Sequence, residues 1–140
     1  LRSVCDFEAL GERTLWLDCD VLQADGGTRC AAISGAYVAA SRALDRFGLS
    51  KALTGQIAAV SVGIVDGRPL LDLDYSEDSA ADTDMNLVLT ADGHLVEVQA
   101  TAERVPFTRD ELELMIDFGA DGIEQIMAAQ DDAVAVQRLG

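Results

Sequence analysis

The stretch Asp20-Val21-Leu22-Gln23-Ala24-Asp25-Gly26-Gly27-Thr28-Arg29 decides how the rest of the chain is read. Apolar residues alternate up to Val21, two glycines follow, and a hydroxyl residue and an arginine open a helical pattern. The first turn of a helix carries backbone N–H groups without intrahelical partners, at the positive end of the helix dipole. Glycines let such a backbone approach an anion closely, and arginine adds a planar fork of donors matched to phosphate. Gly26, Gly27, Thr28 and Arg29 therefore form a candidate phosphate cradle. The spacing is not that of a P-loop, which needs further glycines and a lysine. A tight turn with a solvated Arg29 accounts for the same residues.

On the N-terminal side, Leu15, Leu17, Cys19 and Val21 alternate with Trp16, Asp18 and Asp20. That period of two predicts a half-buried strand over 14–21, with Trp16 packed on its other face. Residues 1–13 read as a lead-in broken at Gly11. On the other side, Ile33, Ala36, Tyr37, Ala40, Ala43, Leu44 and Phe47 form a stripe at helical spacing. It predicts a helix over 30–47, with Arg42 and Arg46 suiting its C-terminal end and Gly48 stopping it. Residues 49–56 read as a connector that divides the chain into units 1–50 and 51–140.

Beyond the connector, the apolar run through Ile57 and Val65 predicts a strand covered on both faces. Asp66-Gly67 is a hairpin turn, and Leu70 to Tyr75 returns as the partner strand behind Pro69. The polar stretch 76–84 reads as an irregular loop. Met85 to Thr90 and His94 to Gln99 make a second hairpin about Ala91-Asp92-Gly93, with His94 exposed and given no chemistry. Thr108 and Glu111 form a capping box, and Phe107 can staple Leu112. A helix then runs to about Phe118. Gly119 and Gly122 are expected to break or kink it ahead of a second piece bearing Ile123, Met127 and Val134, with a frayed end beyond. The pattern is α/β with a C-terminal helical pair.

A length of 140 residues suits one domain or the larger part of two small ones, and 49% hydrophobic residues support a packed core. The chain begins at Leu1 rather than Met, which suggests a piece of something longer. It has no basic-then-apolar leader and no apolar run of spanning length, so neither secretion nor membrane insertion is expected. Cys5, Cys19 and Cys30 are an odd set without a Cys-x-x-Cys pair. They read as small core fillers in a reducing cytoplasm rather than as a disulfide framework or zinc site. With 25 acidic and 10 basic residues the formal charge is −15, which repels nucleic acid at long range. Any polyanion must then be held by a local basic site, a metal or another chain.

Within 76–84, the acids Glu77, Asp78, Asp82 and Asp84 crowd together. Packed carboxylates repel one another unless a cation balances them, and their hard oxygens suit magnesium or manganese. A solvated acidic loop on an acidic protein is the plain alternative. A phosphate cradle beside metal-binding acids is a working combination for phosphoryl chemistry.

Four segments together resemble ribonuclease PH, the phosphate-dependent 3′→5′ exoribonuclease family that trims precursor tRNA. They are Leu10-Gly11-Glu12-Arg13-Thr14, the run from Leu17 to Arg29, Val60-Ser61-Val62-Gly63-Ile64, and Glu77-Asp78-Ser79-Ala80-Ala81-Asp82-Thr83-Asp84-Met85-Asn86. The likeness runs along nearly the whole chain in order and covers the later portion of a family member. It implies mixed sheets flanked by helices and a homo-oligomeric, hexameric ring built as a trimer of dimers. It also implies attack of inorganic phosphate on the last phosphodiester of an RNA 3′ end, releasing a nucleoside 5′-diphosphate. Carried onto this chain, Gly26, Gly27, Thr28 and Arg29 bind phosphate, while Asp78 and Asp84 are catalytic and place a divalent metal, magnesium by expectation. A non-catalytic ring or scaffold subunit of the same family, and an unrelated small-anion binding module, are the competing functions.

Overall fold

A computed structural model describes residues 1–135. Four strands form one antiparallel sheet in the order β2-β1-β3-β4: β1 Ile57–Val65, β2 Arg68–Leu71, β3 Thr83–Thr90 and β4 Leu95–Ala102. Helix α2, Thr28–Arg46, covers one face, and α4, Arg109–Ala135, covers the other. The short helices α1, Phe7–Leu10, and α3, Tyr75–Ala80, complete the set.

The α/β class therefore holds, with a single antiparallel sheet in place of mixed sheets. Burial on both faces of β1 follows from its position between two helices. Val60, Val62, Met85, Leu87, Met115 and Ile123 pack on the α4 side, whereas Ile57, Ala59, Val88 and Cys30 pack on the α2 side. Asp66 and Gly67 turn the first hairpin with φ of 49° and 71°, the double positive-φ geometry that Asp-Gly supplies. Pro69 lies in β2, an edge strand where a missing N–H is tolerated.

Four expectations about the elements need correction, and the first is the partner strand, which spans Arg68–Leu71 rather than 70–75 because Tyr75 already opens α3. Residues 11–25 form no strand and are exposed throughout, with Trp16 88% and Leu22 97% accessible. Alternation makes a segment able to be a strand, but a ladder requires a partner, and none of the described strands pairs with it. The stretch 76–84 is not a loop: Tyr75–Ala80 is α3, and Thr83 and Asp84 already belong to β3. Finally, the C-terminal pair is one unbroken helix from Arg109 to Ala135. Gly119 and Gly122 do not interrupt it because they face the sheet. A Cβ at Gly119 would stand 2.6 Å from Leu87 Cδ2, and one at Gly122 2.7 Å from Leu71 Cδ2. The glycines let the helix sit close to the strands, and tertiary packing outweighs their cost of about 1 kcal/mol each in helix propensity. Its start follows the capping-box expectation, with the Thr108 amide 2.6 Å from Glu111 Oε2 and the Glu111 amide 3.2 Å from Thr108 Oγ1. Val134 is half-buried, and the expected frayed end falls on 136–140, outside the described residues.

Candidate functional site

Gly26 and Gly27 do stand at the start of α2. Gly27 is its N-cap, left-handed at φ 66°, and accepts the first helical bond from the Ala31 amide at 3.0 Å. The space that a Cβ on Gly26 would fill is occupied by protein: the Leu73 carbonyl oxygen would lie 1.9 Å away. Below Gly27, Ser61 Oγ would lie 2.9 Å from an added Cβ. The glycine pair thus serves close approach of the turn to the chain at 72–74.

That chain segment leads straight into α3. Asp25 Oδ1 accepts from the Tyr75 amide at 2.6 Å and from the Gly26 amide at 2.9 Å, so one carboxylate ties the turn to the first residue of α3. Asp74 caps α3 reciprocally with Glu77: the Glu77 amide donates to Asp74 Oδ1 at 2.8 Å, and the Asp74 amide to Glu77 Oε2 at 3.0 Å. Hydrogen bonds from Ser76 and the Glu77 amide hold the Asp74 carboxyl below its ordinary range. Ser61 Oγ accepts from the Leu73 amide at 3.1 Å and anchors the same segment to the sheet. Asp25, Ser61 and Asp74 are supports that pattern reading passed over, although Asp74-x-x-Glu77 is a visible capping box.

Strand alternation brings Asp84 to this same side. In β3, Asp84, Asn86 and Val88 share a face, and Val88 packs in the α2-side core. Cys30, in the first turn of α2, places its Sγ 3.0 Å from Asn86 Oδ1. Arg29 reaches Glu97 of β4, which is paired with Val88. The α2 N-terminus therefore covers the row of Asn86 and Val88, and Asp84 lies two residues further along β3, about 7 Å away.

Asp78 and Asp84 line one cleft with Ser79, Ala81, Glu103 and Arg104, about 430 Å³ in volume. Burial raises the Asp84 carboxyl above its ordinary value, and the charges of Glu103 and Asp78 raise it further. Thr28 instead lines a separate cleft of about 340 Å³ with Cys19, Asp20, Val21, Leu22, Gln23, Ala31 and Ala32. Asp82 is held by its backbone, donating to the Ile64 carbonyl at 2.8 Å and accepting from the Glu103 amide at 2.9 Å. Of the cysteines, only Cys30 is a buried filler; Cys5 is half-buried and Cys19 exposed.

Among the described residues, no group of three or more His, Cys, Asp or Glu side chains is placed to hold a metal. The pair Asp78 and Asp84 nevertheless suits magnesium, which binds through one or two carboxylates and completes its shell with water and substrate phosphate. Burial first, and then the charges of Glu103 and Asp78, raise the Asp84 carboxyl, and a cation would relieve the charge part.

Residues 55–122 match the model of the 3′ exoribonuclease family, domain 2. A ribonuclease PH from Parasynechococcus marenigrum (strain WH8102) is 54% identical over 96% of this chain and 56% of its own length. A ribonuclease PH from Moorella thermoacetica (strain ATCC 39073 / JCM 9320) is 57% identical over 93% of this chain and 54% of its own length. The chain spans about half the length of the curated relatives it matches. Rice (Oryza sativa) Rrp46, in its crystal structure, shares the fold with a TM-score of 0.64 at 16% identity, covering 79% of this chain and 49% of that one. Over nearly its whole length the chain is thus similar to ribonuclease PH sequences, and residues 55–122 match domain 2 of the 3′ exoribonuclease family.

Proposed function

We propose that this chain carries the phosphate and acid sites of a phosphate-dependent 3′→5′ exoribonuclease that trims tRNA precursors and releases nucleoside 5′-diphosphates. The observation behind it is the shared sheet face: the α2 turn and Asp84 occupy neighbouring positions, and Asp25 ties the turn to the helix bearing Asp78. In this reading the α2 start at Gly27 and Thr28 offers backbone amides to inorganic phosphate, Gly26, whose own amide is held by Asp25, shapes the turn beside it, and Arg29 offsets the charge. These donors reduce the repulsion between a phosphate dianion and an RNA end. Asp78 and Asp84 face the reacting end. Asp84, with its raised carboxyl, carries a proton at mildly acidic pH more readily than an ordinary aspartate. Magnesium held by the two carboxylates would neutralise charge on phosphate oxygens.

The partners proposed are RNA, phosphate and further copies of the chain in a hexameric ring, a trimer of dimers, acting in the cytoplasm. No helix among the described residues is long and apolar enough to cross a membrane. The division into units 1–50 and 51–140 belongs to the same proposal. Incubation with a tRNA precursor, magnesium and phosphate should yield nucleoside diphosphates. Monophosphates, or equal turnover without phosphate, would refute the reading. A non-catalytic ring subunit is favoured by one observation, the separate clefts of Thr28 and of Asp78 with Asp84. Stable assembly without turnover at any magnesium concentration would select it.

A further inference from the structure

Nη2 of Arg29 lies 2.6 Å from Oε1 and 2.7 Å from Oε2 of Glu97. A guanidinium offers two paired-donor edges, Nη1 with Nη2 and Nε with Nη2, and planar anions are gripped along one of them. Nη2 belongs to both edges, so Glu97 occupies a donor that either grip requires. Its backbone is fixed by pairing with Val88 beside the irregularity between Val88 and Leu89. We propose that Glu97 is a positioning residue: it holds the Arg29 guanidinium over the α2 side of the sheet and competes with incoming phosphate for Nη2. This deepens the phosphate-site reading and rests on it.

Magnitudes decide that the contact is a latch and not a lock. The side chains are 55% and 35% exposed, so solvent screens the pair and its net strength is small. A phosphate dianion brings more charge than one carboxylate, and first-turn amides of α2 that Glu97 does not use. Glu97 also adds a negative charge that the dianion must approach. Its removal should therefore tighten phosphate binding modestly.

The test is titration of inorganic phosphate into the 140-residue chain at constant ionic strength, followed by NMR of the Arg29 Nε–Hε and the α2 first-turn amides. Glu97→Gln is expected to bind phosphate about threefold more tightly than the wild type. Arg29→Ala should lose tenfold or more, about the strength of a charge-assisted hydrogen bond. In the double variant the gain from Glu97→Gln should shrink, since the competition for Nη2 is gone and only the repulsion between Glu97 and the dianion is left to relieve. Glu97→Ala, checked for an unchanged fold by circular dichroism, repeats the test should the glutamine variant misfold. Unchanged or weaker phosphate binding in the Glu97 variants, with Arg29→Ala still impaired, overturns the latch alone. Arg29→Ala binding phosphate as well as the wild type overturns the phosphate site itself, and the latch with it.

Discussion

The backbone amide of Tyr75 donates to Oδ1 of Asp25 across 2.6 Å, joining two stretches fifty residues apart in sequence. This bond makes the glycine turn and α3 one mechanical unit, so the candidate phosphate donors and Asp78 are positioned together. Asp25→Ala removes the acceptor for both the Tyr75 and Gly26 amides. We expect a loss of about 1–2 kcal/mol in stability, as for a helix cap. Hydrogen exchange should quicken at both amides while β1 stays protected. Exchange that changes at Gly26 but not at Tyr75 would count against the coupling.

Gly26→Ala should be among the costliest single changes in the chain. The added methyl would meet a backbone carbonyl, not the movable end of a side chain, with Leu73 O at 1.9 Å. Displacing either backbone costs more than about 2 kcal/mol. Chemical denaturation measures it, and near wild-type stability would mean that the turn does not seat on Leu73.

Asp84→Asn should stabilise the fold at neutral pH, by less than about 1 kcal/mol given solvent screening. The sign follows from linkage. A carboxyl raised in the folded state is penalised once ionised, so its contribution worsens as pH rises through the unfolded and then the folded value. The advantage of the asparagine variant should accordingly fade below about pH 4, where both states of the aspartate are protonated. Denaturation midpoints from pH 3 to 8 test this. The same variant should slow RNA phosphorolysis, so stability and activity move in opposite directions.

Thiol labelling should separate the three cysteines. Burial pushes the Cys30 thiol up to about 11, with the neighbouring Arg29 opposing and Glu97 and Asp72 adding to the shift. At pH 8 exposed Cys19 should react first and half-buried Cys5 later, while Cys30 reacts only on unfolding. Rapid labelling of Cys30 in the native protein would show that the first turn of α2 opens from Asn86.

Much of the architecture was legible because it depends on local chemistry. The apolar run of β1, the Asp66-Gly67 turn, the helical stripe behind Thr28 and the box of Thr108 and Glu111 each state their structure within a few residues. Two of the failures have one cause: partners distant in sequence. Alternation from Leu15 to Val21 could not say that no described strand pairs with it. Gly119 and Gly122 look like breaks until Leu87 and Leu71 are found against them. The helix at Tyr75–Ala80 was hidden by its acidity, though Asp74 and Glu77 spell its cap.

By itself, then, the order of residues determined β1, the hairpin turns, the helix behind Thr28 and the start of α4, the glycine turn at a helix start, and the crowding of acids near Asp84. Only the tertiary structure decided that Asp84 and the α2 turn share one sheet face, that Arg29 is held by Glu97, and that Gly26 yields its side-chain space to Leu73. The reason is physical. Propensity, capping and periodicity act over a few residues, whereas strand register and helix docking set which distant groups meet.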